Sequence, residues 1–176
     1  MKNNTYLIIL FLTGILTSSC ESNDLDYQND FEISKEAWLN FKESSNDSYK
    51  YEVHRGSVFT PYGWVTMITV LNGEIIERHF KYTSGAEDYV PSDELEWTEN
   101  QNEINSLENE NKSAFYALTL DELYEKSEQE WLIKRKDATS YFESENNGLI
   151  STCGYVEDGC MDDCFNGVII KNIVAL

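Results

Sequence analysis

The chain predicts an α+β fold, an antiparallel sheet built from two helix-plus-strands halves with the helices packed on one face. Three observations lead there. Apolar residues recur at helical spacing in two separate segments, 33–44 and 119–134. Each segment is followed by runs with the two-residue period of half-buried strands. Two Asn-Gly pairs, Asn72-Gly73 and Asn147-Gly148, lie between apolar runs. Asn-Gly marks a hairpin because a type I′ turn needs φ > 0 at both central positions.

The first half opens with ISKEAWLNFKES, which places Ile33, Ala37, Trp38 and Phe41 on one helical face with Ser34 as N-cap. SNDS then ends the helix with cap and turn residues. In YKYEVHRGSVF, Tyr49, Tyr51 and Val53 alternate with Lys50, Glu52 and His54, the pattern of a half-buried strand. Thr60-Pro61-Tyr62-Gly63 reads as a β-turn with Pro at its second position. WVTMITVL and EIIERHFKYT are the two arms of the Asn72-Gly73 hairpin. Pairing across a two-residue turn puts Val65, Met67 and Leu71 on the same face as Ile76, Phe80 and Tyr82. That face is the expected core. Trp64, Thr66, Glu77, His79 and Lys81 are expected on the opposite one.

Residues 84–114 form a long acidic, Asn-rich loop with Tyr89, Val90, Leu95, Trp97 and Ile104 as scattered anchors. A loop of this length inside a compact domain is either functional or mobile. The second half starts with TLDELYEKSEQEWLIK, where Thr119 and Glu122 make a T-x-x-E capping box. Leu120, Leu123, Tyr124, Ser127 and Trp131 line one face of that helix. Asp121 and Glu122 in its first turn, and Lys134, Arg135 and Lys136 after its last, match the helix dipole. ATSYFES, GLISTCGYV and FNGVIIKNIVA then read as the closing strands.

The N-terminus carries Lys2, an apolar run from Tyr6 to Leu16, and Thr17-Ser18-Ser19 before Cys20. Residues 1–19 are therefore expected to be a signal peptide. The apolar run is far shorter than the ~20 residues of a spanning helix. Cys20 directly after small residues resembles the lipobox of bacterial lipoproteins, which implies cleavage before Cys20 and its acylation. Several acyl chains hold a protein stably at a bilayer, whereas one chain is marginal. Residues 20–31, polar and acidic without periodicity, are expected to be a tether, followed by a single domain over 32–176. The tether also resembles the export signal of surface lipoproteins in the Bacteroidetes group. The implied location is the bacterial cell envelope, anchored to a membrane (the outer one) and facing periplasm or cell surface.

The ordered elements resemble an uncharacterised bacterial domain family found in lipoproteins. The shared features are Trp38 in a helix, the Tyr49-Lys50-Tyr51 strand, VTMITVLNGEI, TLDELYEKSEQEWL and YFESENNGLI. Members carry a cysteine pair soon after the Tyr-x-Tyr strand, which this chain lacks. The resemblance implies structure and no known activity.

Thirteen basic against 32 acidic residues give a formal charge of −19, and loss of Lys2 with the leader makes it one unit more negative. Such a surface repels phosphate backbones, so nucleic acid is not an expected partner. His54 and His79 are the two histidines, both on strands, and neither lies in an HExxH or Ser-His-Asp context. His79 beside Glu77 is a candidate acid/base pair, although half-exposed strands carry such pairs routinely. Trp38, Trp131, Tyr49 and Tyr51 are assigned to the core, leaving Trp64 and Trp97 as the candidate binding surface.

With Cys20 lipidated, Cys153, Cys160 and Cys164 remain. Export favours oxidation, so one disulfide and one free thiol are expected. Cys153 and Cys164 flank a loop between two antiparallel strands and are the expected pair, with Cys160–Cys164 as the alternative. The C-x₆-C-x₃-C spacing matches no common zinc ribbon, and Asp158, Asp162 and Asp163 lack the EF-hand pattern. No cofactor is expected. The functional expectation is a lipid-anchored extracytoplasmic module that binds a protein or glycan without catalysis. The alternatives are a carboxylate-based hydrolase acting on glycans through the 84–114 loop, and a Ca²⁺-binding domain at the cysteine loop.

Overall fold

A computed structural model describes residues 24–104 and 113–176. The expected signal peptide, residues 1–19, and Cys20 lie outside the described residues. Helix α1 (Gln28–Ser44) leads into β1 (Tyr49–Gly56), β2 (Gly63–Leu71), β3 (Glu74–Tyr82) and β4 (Glu96–Asn100). Helix α2 (Leu120–Lys126) then runs into a π-helical turn at Ser127–Trp131, followed by β5 (Ala138–Glu143), β6 (Thr152–Glu157) and β7 (Asn166–Ala175). The strands form one seven-stranded antiparallel sheet in the order β4-β3-β2-β1-β7-β6-β5. The class is α+β, as the sequence predicts.

Helix α1 starts earlier than expected. Tyr27, in the left-handed region at φ 59°, stands at its N-cap, and Ser34 lies mid-helix. The buried face is Phe31, Ser34 and Trp38, while Ile33 is 66% exposed. Part of the expected tether is thus folded. Asp26 N–H donates to the Leu132 carbonyl, and Lys134 N–H donates to that of Asp24. Buried in the helix, the Ser34 hydroxyl lies 2.8 Å from the Tyr124 hydroxyl on α2.

The capping box of α2 forms as read. Thr119 Oγ1 accepts from Glu122 N–H, and the Glu122 carboxylate accepts from Thr119 N–H. Leu120, Leu123, Tyr124, Ser127 and Trp131 are all buried. Ser127 donates its hydroxyl back to the Leu123 carbonyl, the back-bonding by which a helical Ser loosens the regular ladder, and the π-helical turn begins at this residue.

The expected face of β2 is reversed. Thr66, Ile68 and Val70 are buried, with Arg78 and Phe80 opposite on β3. The reason is a β-bulge. Val70 pairs with Ile75 but Thr69 pairs with Glu77, so Ile76 is an extra residue. One inserted residue exchanges the faces of everything beyond it. Val65, Met67 and Leu71 therefore leave the core, while Trp64 joins the inner face opposite Tyr82. The expected 84–114 loop likewise contains β4, which pairs with β3 from Lys81↔Glu96 to Glu77↔Asn100.

The cysteines pair as Cys160–Cys164, with Cα atoms 6.1 Å apart. The expected Cys153–Cys164 bridge is corrected because the register sets Val168, not Cys164, opposite Cys153. Cys153 points inward as a fully buried free thiol. Beside it, β6 and β7 approach closely at Gly154 and Gly167. A Cβ on Gly154 would stand 2.4 Å from the Asn166 oxygen and 2.7 Å from the Gly167 Cα.

Two predictions follow from this packing. Gly154→Ala forces two backbones apart and should cost ~1–3 kcal/mol in urea denaturation. Burial pushes the Cys153 thiol up to about 12 and the Tyr124 hydroxyl up to about 12, against ordinary values of 9.0 and 10.0. Both folded values are raised, so the unfolded chain loses these protons first. Stability is complete below pH about 9 and falls as pH rises toward 12. The urea midpoint should therefore decline from pH 9 upward, and less steeply in Cys153→Ala.

Candidate functional site

Aromatic side chains collect on the inner face of the sheet where β2, β3 and β4 meet. The alternation of β3 puts Phe80 and Tyr82 on one face, with ring centroids 4.9 Å apart. Register then sets Trp97 of β4 opposite Phe80, with centroids 5.2 Å apart and planes 14° from parallel. On the other side Trp64 stands opposite Tyr82, 6.1 Å away and edge-on. The β1–β2 loop adds Tyr62 at 5.6 Å from Tyr82, and the 84–95 segment adds Tyr89 at 5.7 Å from Tyr62. The six rings grade from a fully buried Phe80 to Tyr89, which is 67% exposed.

Below the rings lies an ion pair. Arg78 Nε donates to Glu99 Oε2 at 2.7 Å, and the two side chains are 8% and 1% exposed. The guanidinium sits 5.4 Å from the Trp97 ring centre and donates to the Phe115 carbonyl at 3.4 Å. Phe115 N–H in turn donates to the buried Thr66 hydroxyl. Returning chain is thus tied over the inner face, and Tyr82 donates to Ser113 nearby. Trp64 and Trp97 are half-buried, and the indole nitrogen of each is buried without a partner. Neither presents its N–H to solvent, so what each leaves open is ring surface rather than a polar edge.

The remaining sequence candidates are dispersed. His79 faces the outer side, with Nδ1 2.9 Å from Thr98 Oγ1 and Nε2 3.2 Å from Glu96. Its partner is therefore Glu96 of β4 rather than Glu77, which lies beside Thr69. His54 lies 3.4 Å from Glu52 on β1. Several acids of the 84–114 stretch are held in local bonds: Glu87 to Gly85 N–H, Glu103 to Asn100 N–H, Glu96 to Lys81 and His79, and Glu99 to Arg78. In the cysteine loop, Asp163 accepts from the Ser57 hydroxyl and, at 3.0 Å, from Val58 N–H. Those bonds hold its carboxyl below the usual range. Asp158 is used through its N–H, which donates to the Asp137 carbonyl. Among the described residues no group of three or more His, Cys, Asp or Glu is placed to hold a metal ion, Asp158, Asp162 and Asp163 included.

Fold and site together define an α+β domain with one open, aromatic inner corner. Comparison with known protein families, with curated proteins and with solved structures finds no match.

Sequence reasoning names Trp64 and Trp97 and misses Tyr62, Tyr82, Tyr89, Arg78 and Glu99. The sequence signal for the tyrosines is the alternation in HFKY and the run PYGW. The ion pair leaves none, since its members lie 21 residues apart.

The Arg78–Glu99 pair gives a direct test. Removing one partner of a buried pair strands the other charge, which costs ~3–5 kcal/mol, whereas replacing both with apolar side chains is often near neutral. Arg78→Met should thus destabilise strongly in urea. The double variant Arg78→Met with Glu99→Leu should recover most of the loss.

Proposed function

We propose that this chain is a membrane-anchored extracytoplasmic lipoprotein whose folded part is a non-enzymatic binding module, with the Tyr62–Trp64–Tyr82–Tyr89–Trp97 surface as its ligand face. The observation that carries the reading is the ring cluster itself. Five aromatic side chains stay partly open to solvent above the buried Arg78–Glu99 ion pair. Ring faces in an acidic surround suit a neutral glycan or a cationic peptide and disfavour phosphate and nucleic acid. The lipobox-like Cys20 after a short apolar leader supports the anchor.

The reading includes the finer architecture. It comprises two halves, α1 with β1–β4 and α2 with β5–β7, joined where β1 meets β7, with both helices on the inner face. Trp38 and Tyr124, one from each helix, stack 6.1 Å apart, and Trp38 meets Tyr49 of β1 at 5.3 Å, which favours this arrangement.

Two measurements test the proposal. The Cys20→Ala protein should leave the membrane fraction, and its continued sedimentation with membranes would remove the anchor. Residues 20–176 should bind members of an array of neutral oligosaccharides or lysine-rich peptides, with Trp64→Ala and Tyr89→Ala each weakening binding by about tenfold. Silence on both arrays, or binding indifferent to both substitutions, would remove the ligand face.

A further inference from the structure

The apolar side chains left most open by the fold are not all in the aromatic corner. Met161 is 90% exposed, Phe59 73% and Val58 71%. They lie on two loops, 57–62 between β1 and β2 and 158–165 between β6 and β7. The loops are fastened to each other. Asp163 accepts from the Ser57 hydroxyl and from Val58 N–H, and Ser57 Oγ accepts from Phe59 N–H at 3.1 Å. The Cys160–Cys164 bridge closes the second loop around Met161. Three large apolar groups are therefore exposed side by side on loops that a hydrogen-bonded frame joins.

The chain approaches Cys20 from the same end of the molecule. Antiparallel register gathers Gly56, Gly63, Glu157, Asn166 and Ala138 at one end of the sheet. Asp24 and Asp26 are tied there, the first through its carbonyl to Lys134 N–H, the second through its carboxylate to the Ser140 hydroxyl of β5 at 2.8 Å. Cys20 is four residues before Asp24, a reach of at most ~14 Å even when extended. A group anchored at Cys20 thus keeps this end, and not the opposite one, close to whatever holds it.

We propose that the paired 57–62 and 158–165 loops are a second, non-covalent membrane contact. Val58, Phe59 and Met161 seat in the interface of a zwitterionic phospholipid leaflet and set the domain loop end down; this rests on Cys20 being the point of attachment. An interface accepts apolar side chains from a convex tip without a shaped groove. The charge around the tip selects the lipid. Residues 157–165 hold four acids and no base, and 57–62 hold no charge, so anionic headgroups repel the contact.

The experiment fixes the anchor chemically, which separates this proposal from the question of cellular lipidation. In residues 20–176 the Cys153 thiol is buried and Cys160 is bonded to Cys164, so Cys20 couples selectively to maleimide-phosphatidylethanolamine in phosphatidylcholine vesicles. Hydrogen exchange of 57–60 and 158–163 should slow by about threefold or more on coupling, with the 144–149 turn at the opposite end unchanged. The protection should disappear in the triple variant Val58→Ser, Phe59→Ser, Met161→Ser, and shrink on phosphatidylglycerol vesicles at low salt. Unchanged exchange on coupling, or protection that survives the triple variant, overturns the proposal. So does protection without vesicles that grows with protein concentration, which would make the occupant a second copy of the chain. Loss of membrane association in Cys20→Ala cells bears on the lipoprotein reading alone.

Discussion

Three buried tyrosine hydroxyls hold the described elements together. Tyr49, Tyr51 and Tyr124 bury their rings almost fully, and a buried hydroxyl without a partner costs ~1–3 kcal/mol. Three of their four main-chain partners, at Leu118, Leu120 and Ile150, lie outside the strand and helix ladders, and the fourth is the Ser34 carbonyl within α1. Tyr49 accepts from Leu120 N–H at the start of α2, and Tyr51 donates to the Leu118 carbonyl two residues earlier. Tyr124 accepts from Ile150 N–H just before β6 and donates to the Ser34 carbonyl in α1. Strand β1, both helices and the β5–β6 connection are thereby fixed to one another by groups whose burial alone is unfavourable. The Trp38 ring fills the space between, and its indole N–H donates to Asp121.

Much of this was legible in the sequence, because the signals are local. The Thr119 capping box, the Tyr49/Tyr51/Val53 alternation and the Asn72-Gly73 turn each involve neighbouring residues. Asn72 and Gly73 take φ of 51° and 81°, as a type I′ turn requires. The faces of β2 were not legible. Nothing local in EIIER distinguishes a strand that runs straight from one that bulges at Ile76, and one residue is enough to send Thr66 inward and Met67 outward. Strand β4 was hidden for a related reason. EWTEN carries two acids in five residues, and its Glu99 faces inward only because Arg78 waits there.

The candidate surface was legible by subtraction: tryptophans unused by the core had to be elsewhere. Its neighbours were not, since Tyr62, Tyr82 and Tyr89 come together from the β1–β2 loop, the end of β3 and the β3–β4 segment. The cysteines show the same limit. Among the described cysteines there are one bridge and one thiol, but which sulfur is left over depends on the β6–β7 register, and that register turns Cys153 into the core.

The sheet order has a consequence for how the chain comes to be folded. Strand β7 is made after every other strand, yet it lies between β1 and β6 and is the join between the two sides of the sheet. A polypeptide emerging from its N-terminus can form the β1–β4 meander early, but its central seam stays open until the final ten-residue strand arrives. Closing it brings together residues separated by more than a hundred positions, such as Tyr49 and Ala175, a non-local pairing that is intrinsically slow.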